Sequence, residues 1–250
     1  LTAAPAARGE SALSLPLPSE LGDLRAITRG LDGAPIGETR VSWRERDDGR
    51  FAIELVLEVD GRPRSELGAV LERTPSGRLR PLTQRARTLD PSGKARVEMQ
   101  IDHTARKAVC RERGEKPREI ALPERDRLAH APMTLRFEPL VRGESDVVAF
   151  EFLLCRGHPR ILEASAKVAR RLPLAGGDGE AVEIQTRIEL GFLISSLLSA
   201  VMPENAFWFH VSENDTKTAP RWLGYRTPLE PAGTEAIVTR EGIDPAPFLP

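Results

Sequence analysis

The residues that could carry chemistry in this chain are few and lie far apart. Its four histidines are His103, His130, His158 and His210. None has a carboxylate or a second histidine at the spacing that places metal ligands on one face. The chain has no glycine-rich phosphate loop and no serine-nucleophile motif. These patterns predict no catalytic residue, no metal site and no cofactor. One alternative is a cofactor-free hydrolase in which His210 acts with Glu213 or Asp215.

Two cysteines, Cys110 and Cys155, are the only thiol side chains, and neither belongs to a C-x-x-C motif. Zinc-ribbon and thioredoxin-like sites are therefore excluded. Both cysteines lie in predicted strands, where a small buried thiol is common. In an oxidising compartment they could form a disulfide, provided that their Cα atoms lie within about 7 Å of each other. The sequence alone is compatible with either state.

The most apolar stretch, residues 190–229, contains two of the three tryptophans and the only tyrosine. Leucine, isoleucine and valine recur at i, i+3, i+4 and i+7 through its first part, which predicts an apolar helix at about 191–202. This helix either fills the core or forms a lid over an apolar cup whose mouth is lined by aromatic side chains. The ligand-binding residues of the second hypothesis are Phe192, Leu193, Leu197, Phe207, Trp208, Phe209, Trp222 and Tyr225.

The elements that must position these residues are alternating strands joined by tight turns. The clearest strand runs over residues 50–59, where apolar side chains at every second position face one side. Asp47, Asp48 and Gly49 precede it as a hairpin turn. The repeated pattern predicts a mainly β fold, with a curved antiparallel meander that needs an apolar element on its concave side. Residues 123–139 break the alternation and predict a short helical or irregular crossover.

Charged residues are nearly balanced, with 36 Lys and Arg against 37 Asp and Glu and a formal net charge of −1. Nucleic-acid-binding proteins usually show a basic excess or a basic face, so this balance argues against such a partner. Arginine and glutamate alternate over residues 40–46, which predicts cross-strand ion pairs on a solvated face. No apolar run reaches about 18 residues, so no membrane-spanning helix is expected.

Residues 1–20 are rich in alanine, proline and serine and show no periodicity, which predicts a flexible leader. The chain starts at Leu1, as a mature or trimmed protein would, and shows no signal sequence. No break in composition divides residues 21–250, which we expect to form a single β-rich domain. The proline-rich end, from Gly242, is expected to lie on the surface.

The order of these features resembles a bacterial envelope family of unknown function. The likeness spans most of residues 24–240. It is carried by the GAPIGE turn at 33–38, the crossover PERDRLAHAPMTLRFEPLVRGE at 123–144, and FWFHVSENDTKTAPRW at 207–222. The family's fold is an unclosed half barrel, similar to those of periplasmic lipoprotein-localisation carriers and outer-membrane lipoprotein receptors. The apolar helix at 191–202 departs from the family pattern.

The resemblance implies a periplasmic or cell-envelope location and a hydrophobic or lipid-linked ligand, and it transfers no catalytic residue. The sequence therefore predicts an uncharacterised envelope protein that binds an acyl chain, or a partner's apolar segment, in the concave face of a half barrel. The alternative is a structural module that binds an envelope protein partner through a sheet edge or the loop at 212–222, with no small ligand.

Overall fold

A computed structural model describes residues 14–123, 128, 130–174, 179–189, 205–211, 219–228 and 235–249. These segments form strands, two 3-10 helices and one short α-helix. The strands are β1 (Gly22–Gly30), β2 (Pro35–Glu45), β3 (Phe51–Val59), β4 (Arg64–Arg73), β5 (Leu79–Leu89), β6 (Ala95–Asp102), β7 (Lys107–Glu112), β8 (Arg118–Ala121), β9 (Val147–Leu154), β10 (Arg160–Pro173), β11 (Glu180–Glu189), β12 (Asn205–His210), β13 (Arg221–Pro228) and β14 (Glu235–Arg240). The helices are the 3-10 helices Met133–Phe137 and Ala246–Phe248 and the α-helix α1 (Glu138–Val141).

All fourteen strands belong to one antiparallel sheet in the order β8-β7-β6-β5-β4-β3-β2-β1-β14-β13-β12-β11-β10-β9. The strands follow one another in two meanders, β1 to β8 and β9 to β14. The two meanders meet where β1 pairs with β14, with Thr28 opposite Val238. The edges of the described sheet are β8 and β9, and among the described residues no strand pairing joins them. The predicted mainly β, unclosed antiparallel meander is therefore confirmed.

Local sequence explains the hairpins. At the predicted turn between β2 and β3, Arg46 N–H donates to Arg50 O at 2.7 Å and Gly49 N–H donates to Arg46 O at 2.9 Å. Gly49 has a φ of +75°, a conformation that costs glycine little and other residues more. The alternating apolar residues of the next strand then face one side of the sheet, with Phe51 and Ile53 only 2% and 3% exposed.

The opposite face of β2 to β5 has the predicted cross-strand ion pairs. Arg40 and Arg64 bind the two oxygens of Glu58 at 2.7 and 3.0 Å, and Arg64 also binds Glu66 at 2.9 Å. Arg87 of β5 also forms an ion pair with Glu66, which extends this charge ladder across four strands. Pairs this exposed contribute roughly 0–1 kcal/mol each, so the ladder specifies register and solubility more than stability.

The crossover from Leu128 to Val141 lies against the other face of the sheet, which we call the inner face. Its 3-10 helix runs directly into α1, which confirms the predicted helical crossover. Phe137 and Leu140 are fully buried, and Leu135 packs with Trp43 of β2. In the described chain, this crossover occupies part of the barrel interior. The apolar helix expected at 191–202 lies outside the described residues.

The two sheet edges are joined by side chains instead of a ladder. Cys110 on β7 forms a disulfide with Cys155, directly after β9, with a Cα–Cα distance of 5.3 Å. Beyond it, Gly157 N–H donates to the Glu112 carboxylate at 3.1 Å, and Arg118 Nη1 donates to Gly157 O at 2.9 Å. The barrel is thus closed by a disulfide-linked seam, although its hydrogen-bonded sheet stays open.

Residues 14–20, which we call the strap, run along the barrel before β1. Leu15 and Leu79 exchange two backbone hydrogen bonds of 2.8 and 2.7 Å, and Ala219 N–H donates to Leu17 O at 2.8 Å. Leu15 is only 2% exposed. These residues belong to the segment assigned by composition to the leader, of which residues 1–13 lie outside the described chain.

The C-terminal segment covers the outer face of β11 to β14. Phe248 is 1% exposed and its ring stacks on Trp208 at a centroid distance of 4.5 Å. The expectation that the whole tail lies on the surface is wrong at this residue. The reason is that these strands carry apolar side chains on both faces, with Leu223 and Ile237 also facing outwards, so the outer face needs a cover. None of the helices in the described segments has the length and hydrophobicity needed to cross a membrane.

Candidate functional site: an apolar cavity under the crossover

An apolar cavity of about 410 Å³ lies between the crossover and the inner face of the sheet. Its walls come from β1 to β4 on one side and from β12 to β14 on the other, and the strap forms part of its rim. Cavities that hold small ligands span roughly 300–1,000 Å³ and are mostly apolar, and this cavity fits that range. It is therefore the candidate binding site.

The first wall follows from simple strand alternation. Val41 and Trp43 on β2, and Ile53 and Leu55 on β3, alternate with outward-facing polar residues and line the cavity. Trp43 is 6% exposed and Val41 is 8% exposed, so the wall is almost shielded from bulk water. The alternation identifies these residues as inward-facing, but no sequence signal distinguished cavity wall from packed core.

The second wall is aromatic and depends on a β-bulge. Along β12, Phe207 pairs with Tyr225, Trp208 pairs with Gly224 and Phe209 pairs with Trp222, so that Leu223 has no partner position on β12. One extra residue, Leu223, is therefore accommodated on β13. Because of this irregularity Trp222 and Tyr225 line the same cavity although they are three residues apart.

The rings of this wall are in contact with one another. The Phe207 and Tyr225 centroids are 5.9 Å apart, and the Trp222 and Tyr225 centroids are 6.0 Å apart. Burial raises the pKa of Tyr225 to about 12, partly offset by a hydrogen bond to Thr39. The hydroxyl stays neutral at physiological pH, so the aromatic wall carries no charge.

The structure thus brings together four of the eight predicted ligand-binding residues: Phe207, Phe209, Trp222 and Tyr225. Trp208 lies on the opposite face of β12, because adjacent strand residues point to opposite sides. There its indole N–H donates to the buried Glu183 carboxylate at 3.0 Å. The other three predicted residues, Phe192, Leu193 and Leu197, lie outside the described residues.

Two charged residues reach the rim of the cavity, and sequence reasoning missed both. Arg240 extends from the end of β14, and its Nη1 lies 2.6 Å from Oε2 of Glu20 on the strap. Arg221 Nε lies 3.4 Å from the other Glu20 oxygen. The Arg240 and Glu20 side chains are 16% and 33% exposed, so this pair is partly withdrawn from water.

Among solved structures, the chain is similar to a β-barrel-like protein of a domain of unknown function, DUF1849, from Brucella abortus. The TM-score is 0.51, and the match covers 89% of this chain and 96% of that chain at 9% sequence identity. The two proteins share a fold. This agrees with the resemblance to a barrel-like family of unknown function, whereas the likeness to lipoprotein carriers and receptors stays a prediction. The chain matches no protein-family model and no curated protein.

A polar cluster holds the crossover beside the cavity. Gln84 on β5 accepts a hydrogen bond from His130 N–H at 2.7 Å and donates to Leu128 O at 3.0 Å. His130 Nε2 in turn accepts the N–H of Leu153, on the edge strand β9, at 3.0 Å. Burial, followed by the nearby His103, lowers the pKa of His130 to about 4. The imidazole is therefore neutral and can act as an acceptor.

The low pKa of His130 predicts a pH-dependent contribution to stability. An unfolded histidine takes up its proton near pH 6.5, whereas the folded one does so near pH 4. Above pH 6.5 the histidine is neutral in both states, so its contribution to the free energy of unfolding is fully present. As the pH falls from 6.5 towards 4, the unfolded chain takes up the proton first, and the free energy of unfolding falls by at most about 3 kcal/mol. Replacing His130 by glutamine is expected to flatten the dependence of the unfolding free energy on pH in this window.

Urea unfolding of wild type and His130→Gln between pH 4 and pH 7 measures the effect. His158→Gln is the matched control, because His158 is exposed in the turn between β9 and β10. An equally steep pH dependence in wild type and His130→Gln would contradict the assignment of this titration to His130.

In the described segments, no three His, Cys, Asp or Glu side chains are grouped as metal ligands. His210 ends β12 and is half-buried. Glu213 and Asp215, its suggested hydrolytic partners, lie outside the described residues, so that alternative stays a prediction. The arrangement that the structure does describe is an apolar space with aromatic walls and a polar rim, which is suited to holding an apolar chain.

Proposed function

We propose that this protein binds a hydrophobic or lipid-linked ligand whose apolar chain occupies the cavity under the crossover. The observation that carries the proposal is the cavity of about 410 Å³ among Trp43, Trp222, Tyr225 and their apolar neighbours. Protein interiors rarely leave such space, because uncovered apolar walls lose dispersion contacts. A ligand chain of about ten methylenes would gain roughly 8 kcal/mol of transfer free energy there, before the costs of association.

We also propose that the protein works in the periplasm or another part of the cell envelope. The disulfide between Cys110 and Cys155 supports this, because disulfides persist mainly in oxidising compartments. Fractionation of the source cells tests the location, and recovery of the protein in the cytosolic fraction would refute it.

Ligand binding is tested in two ways. Native mass spectrometry of the purified protein is expected to show a bound mass that organic extraction removes. The extracted protein is then expected to bind the apolar fluorophore N-phenyl-1-naphthylamine saturably, with enhanced probe emission and altered tryptophan emission from Trp43 and Trp222. A protein that carries no extractable ligand and binds no probe would refute the proposal.

Replacing Ser65 by phenylalanine is expected to weaken probe binding about tenfold or more, which corresponds to about 1.4 kcal/mol. Ser65 lies on β4 and lines the cavity, so the added ring would occupy space that the probe needs. Val56→Phe is the matched control, because Val56 alternates with the cavity-lining Leu55 and Leu57 and faces outwards. Equal affinities of the two variants, both with native unfolding midpoints, would place the probe elsewhere.

The alternative of an interaction module stays a prediction. In the described part of the chain, the exposed large apolar residues are Leu21, Leu31 and Val147. They lie at the two ends of β1 and at the start of β9, and they do not single out one surface.

A further inference from the structure

We propose that the ligand is a single-chain carboxylate of the fatty-acid class, and that its head group binds Arg240 in place of Glu20. This inference rests on the proposed function, because it names the chemistry of the ligand that the cavity holds. Glu20 of the strap then competes with the ligand's head group for Arg240.

The first argument is the distribution of charge. Of the side chains that line the cavity in the described chain, Arg240 and Glu20 are the only charged ones. His130 also lines the cavity, but its imidazole is neutral. The guanidinium is carried by the sheet itself, at the end of β14, and is mostly buried. A cation in this position requires an anionic partner, because an unpaired buried charge is strongly disfavoured. The cavity is therefore an apolar space with one fixed cation at its rim.

The second argument is that a carboxylate already occupies this position. The Glu20 carboxylate lies between two guanidinium groups, 2.6 Å from Arg240 and 3.4 Å from Arg221. The planar fork of arginine matches the two oxygens of a carboxylate. Arg221 lies outside the cavity lining, so Arg240 and Arg221 together present two guanidinium groups to this one carboxylate, an arrangement that recognises an anion in preference to a neutral or cationic group.

The third argument is that Glu20 belongs to the strap and not to the sheet. The backbone hydrogen bonds between the strap and the barrel are made at Leu15 and Leu17, upstream of Glu20. The Glu20 side chain can therefore leave Arg240 without breaking a strand pairing. A ligand carboxylate would take over the charge-assisted hydrogen bonds to Arg240, and its chain would extend under the crossover towards Trp43 and Tyr225.

The cavity size favours a ligand with one chain. Its volume of about 410 Å³ lies near the lower end of the roughly 300–1,000 Å³ found for small-ligand sites, which suits a single saturated chain better than the two chains of a phospholipid. Palmitate is a carboxylate of this class.

The test compares palmitate with 1-hexadecanol, which has the same chain length and a neutral head group. Each competes with N-phenyl-1-naphthylamine for the extracted protein at pH 8, where palmitate is ionised. We expect wild type to bind palmitate about tenfold more tightly than hexadecanol, as one charge-assisted contact would give. Arg240→Gln is expected to abolish this preference by weakening palmitate binding about tenfold, whereas Glu20→Gln is expected to tighten palmitate binding severalfold.

Arg44→Gln is the matched control, because Arg44 is 69% exposed and pairs with Asp23 away from the cavity, so only the net charge changes. Arg240→Lys, which keeps the charge without the fork, is expected to bind palmitate with intermediate affinity and serves if Arg240→Gln does not fold. The inference would be overturned if wild type bound palmitate and hexadecanol with equal affinity, as Arg240→Gln is expected to do. The proposed function would still stand in that case. Failure of the probe and both ligands to bind would instead overturn the proposed function.

Discussion

Replacing Phe137 by alanine is expected to lower the free energy of unfolding by about 3–5 kcal/mol, the usual range for a fully buried phenylalanine. Phe137 is 0% exposed and lies at the centre of the crossover. Its ring centroid is 6.0 Å from that of Phe150, 5.2 Å from that of Phe207 and 6.1 Å from that of Phe209. The substitution therefore removes contacts from both β9 and β12 and leaves a void between them.

Urea unfolding followed by circular dichroism measures this loss. Phe152→Ala is the matched control, because Phe152 lies on β9 beside the same cluster but is only partly buried. Phe137→Leu, which keeps most of the volume, is expected to cost less than about 1.5 kcal/mol. We also expect Phe137→Ala to weaken binding of N-phenyl-1-naphthylamine, because the crossover forms a wall of the cavity. A loss no larger than that of Phe152→Ala would contradict the role of the crossover as the core of the barrel.

Removing the disulfide is expected to have the second large effect. A cross-link across 45 residues stabilises the folded state by about 4 kcal/mol in the chain-entropy treatment. The double variant Cys110→Ala/Cys155→Ala should lose most of this. The loss should appear first at the seam, because in the described part of the chain no strand pairing joins β8 to β9.

Urea unfolding of the double variant, and of wild type with and without dithiothreitol, tests this expectation. Reduced wild type should unfold at the same urea concentration as the double variant. Amide hydrogen exchange should rise in β7, β8 and β9 before it rises in β1 and β14, which lie in the middle of the sheet. If oxidised and reduced wild type unfold together, the seam is held by its other contacts and the prediction fails.

The structure describes only part of the apolar stretch at 190–229, so its two halves are tested differently. The aromatic part, with Phe207, Phe209, Trp222 and Tyr225, lines the cavity in the structure. The helix expected before it lies outside the described residues. The element that packs in the described interior is the crossover. Its loss of alternation is visible in the sequence, but a break in periodicity does not show where a segment packs.

Trp208 illustrates the limit of composition as a guide to a site. Its place among the aromatic residues of β12 predicts a position in the ligand cup. Strand alternation turns it to the outer face, where Phe248 covers it and Glu183 accepts its N–H. Strict alternation would equally have separated Trp222 from Tyr225, and the bulge at Leu223 prevents that. Bulges depend on the partner strand, so the sequence of β13 alone does not reveal one.

The sequence by itself determined the features that depend on neighbouring residues. These are the alternating strands, the hairpin at Gly49, the charge ladder on the outer face and the interruption at the crossover, because each follows from local periodicity or turn chemistry. The tertiary structure alone decided the pairing of β1 with β14, the seam between Cys110 and Cys155, and the meeting of Glu20 with Arg240. Each of these joins residues that are distant in the chain, and their proximity follows from the pairing order and curvature of the whole sheet.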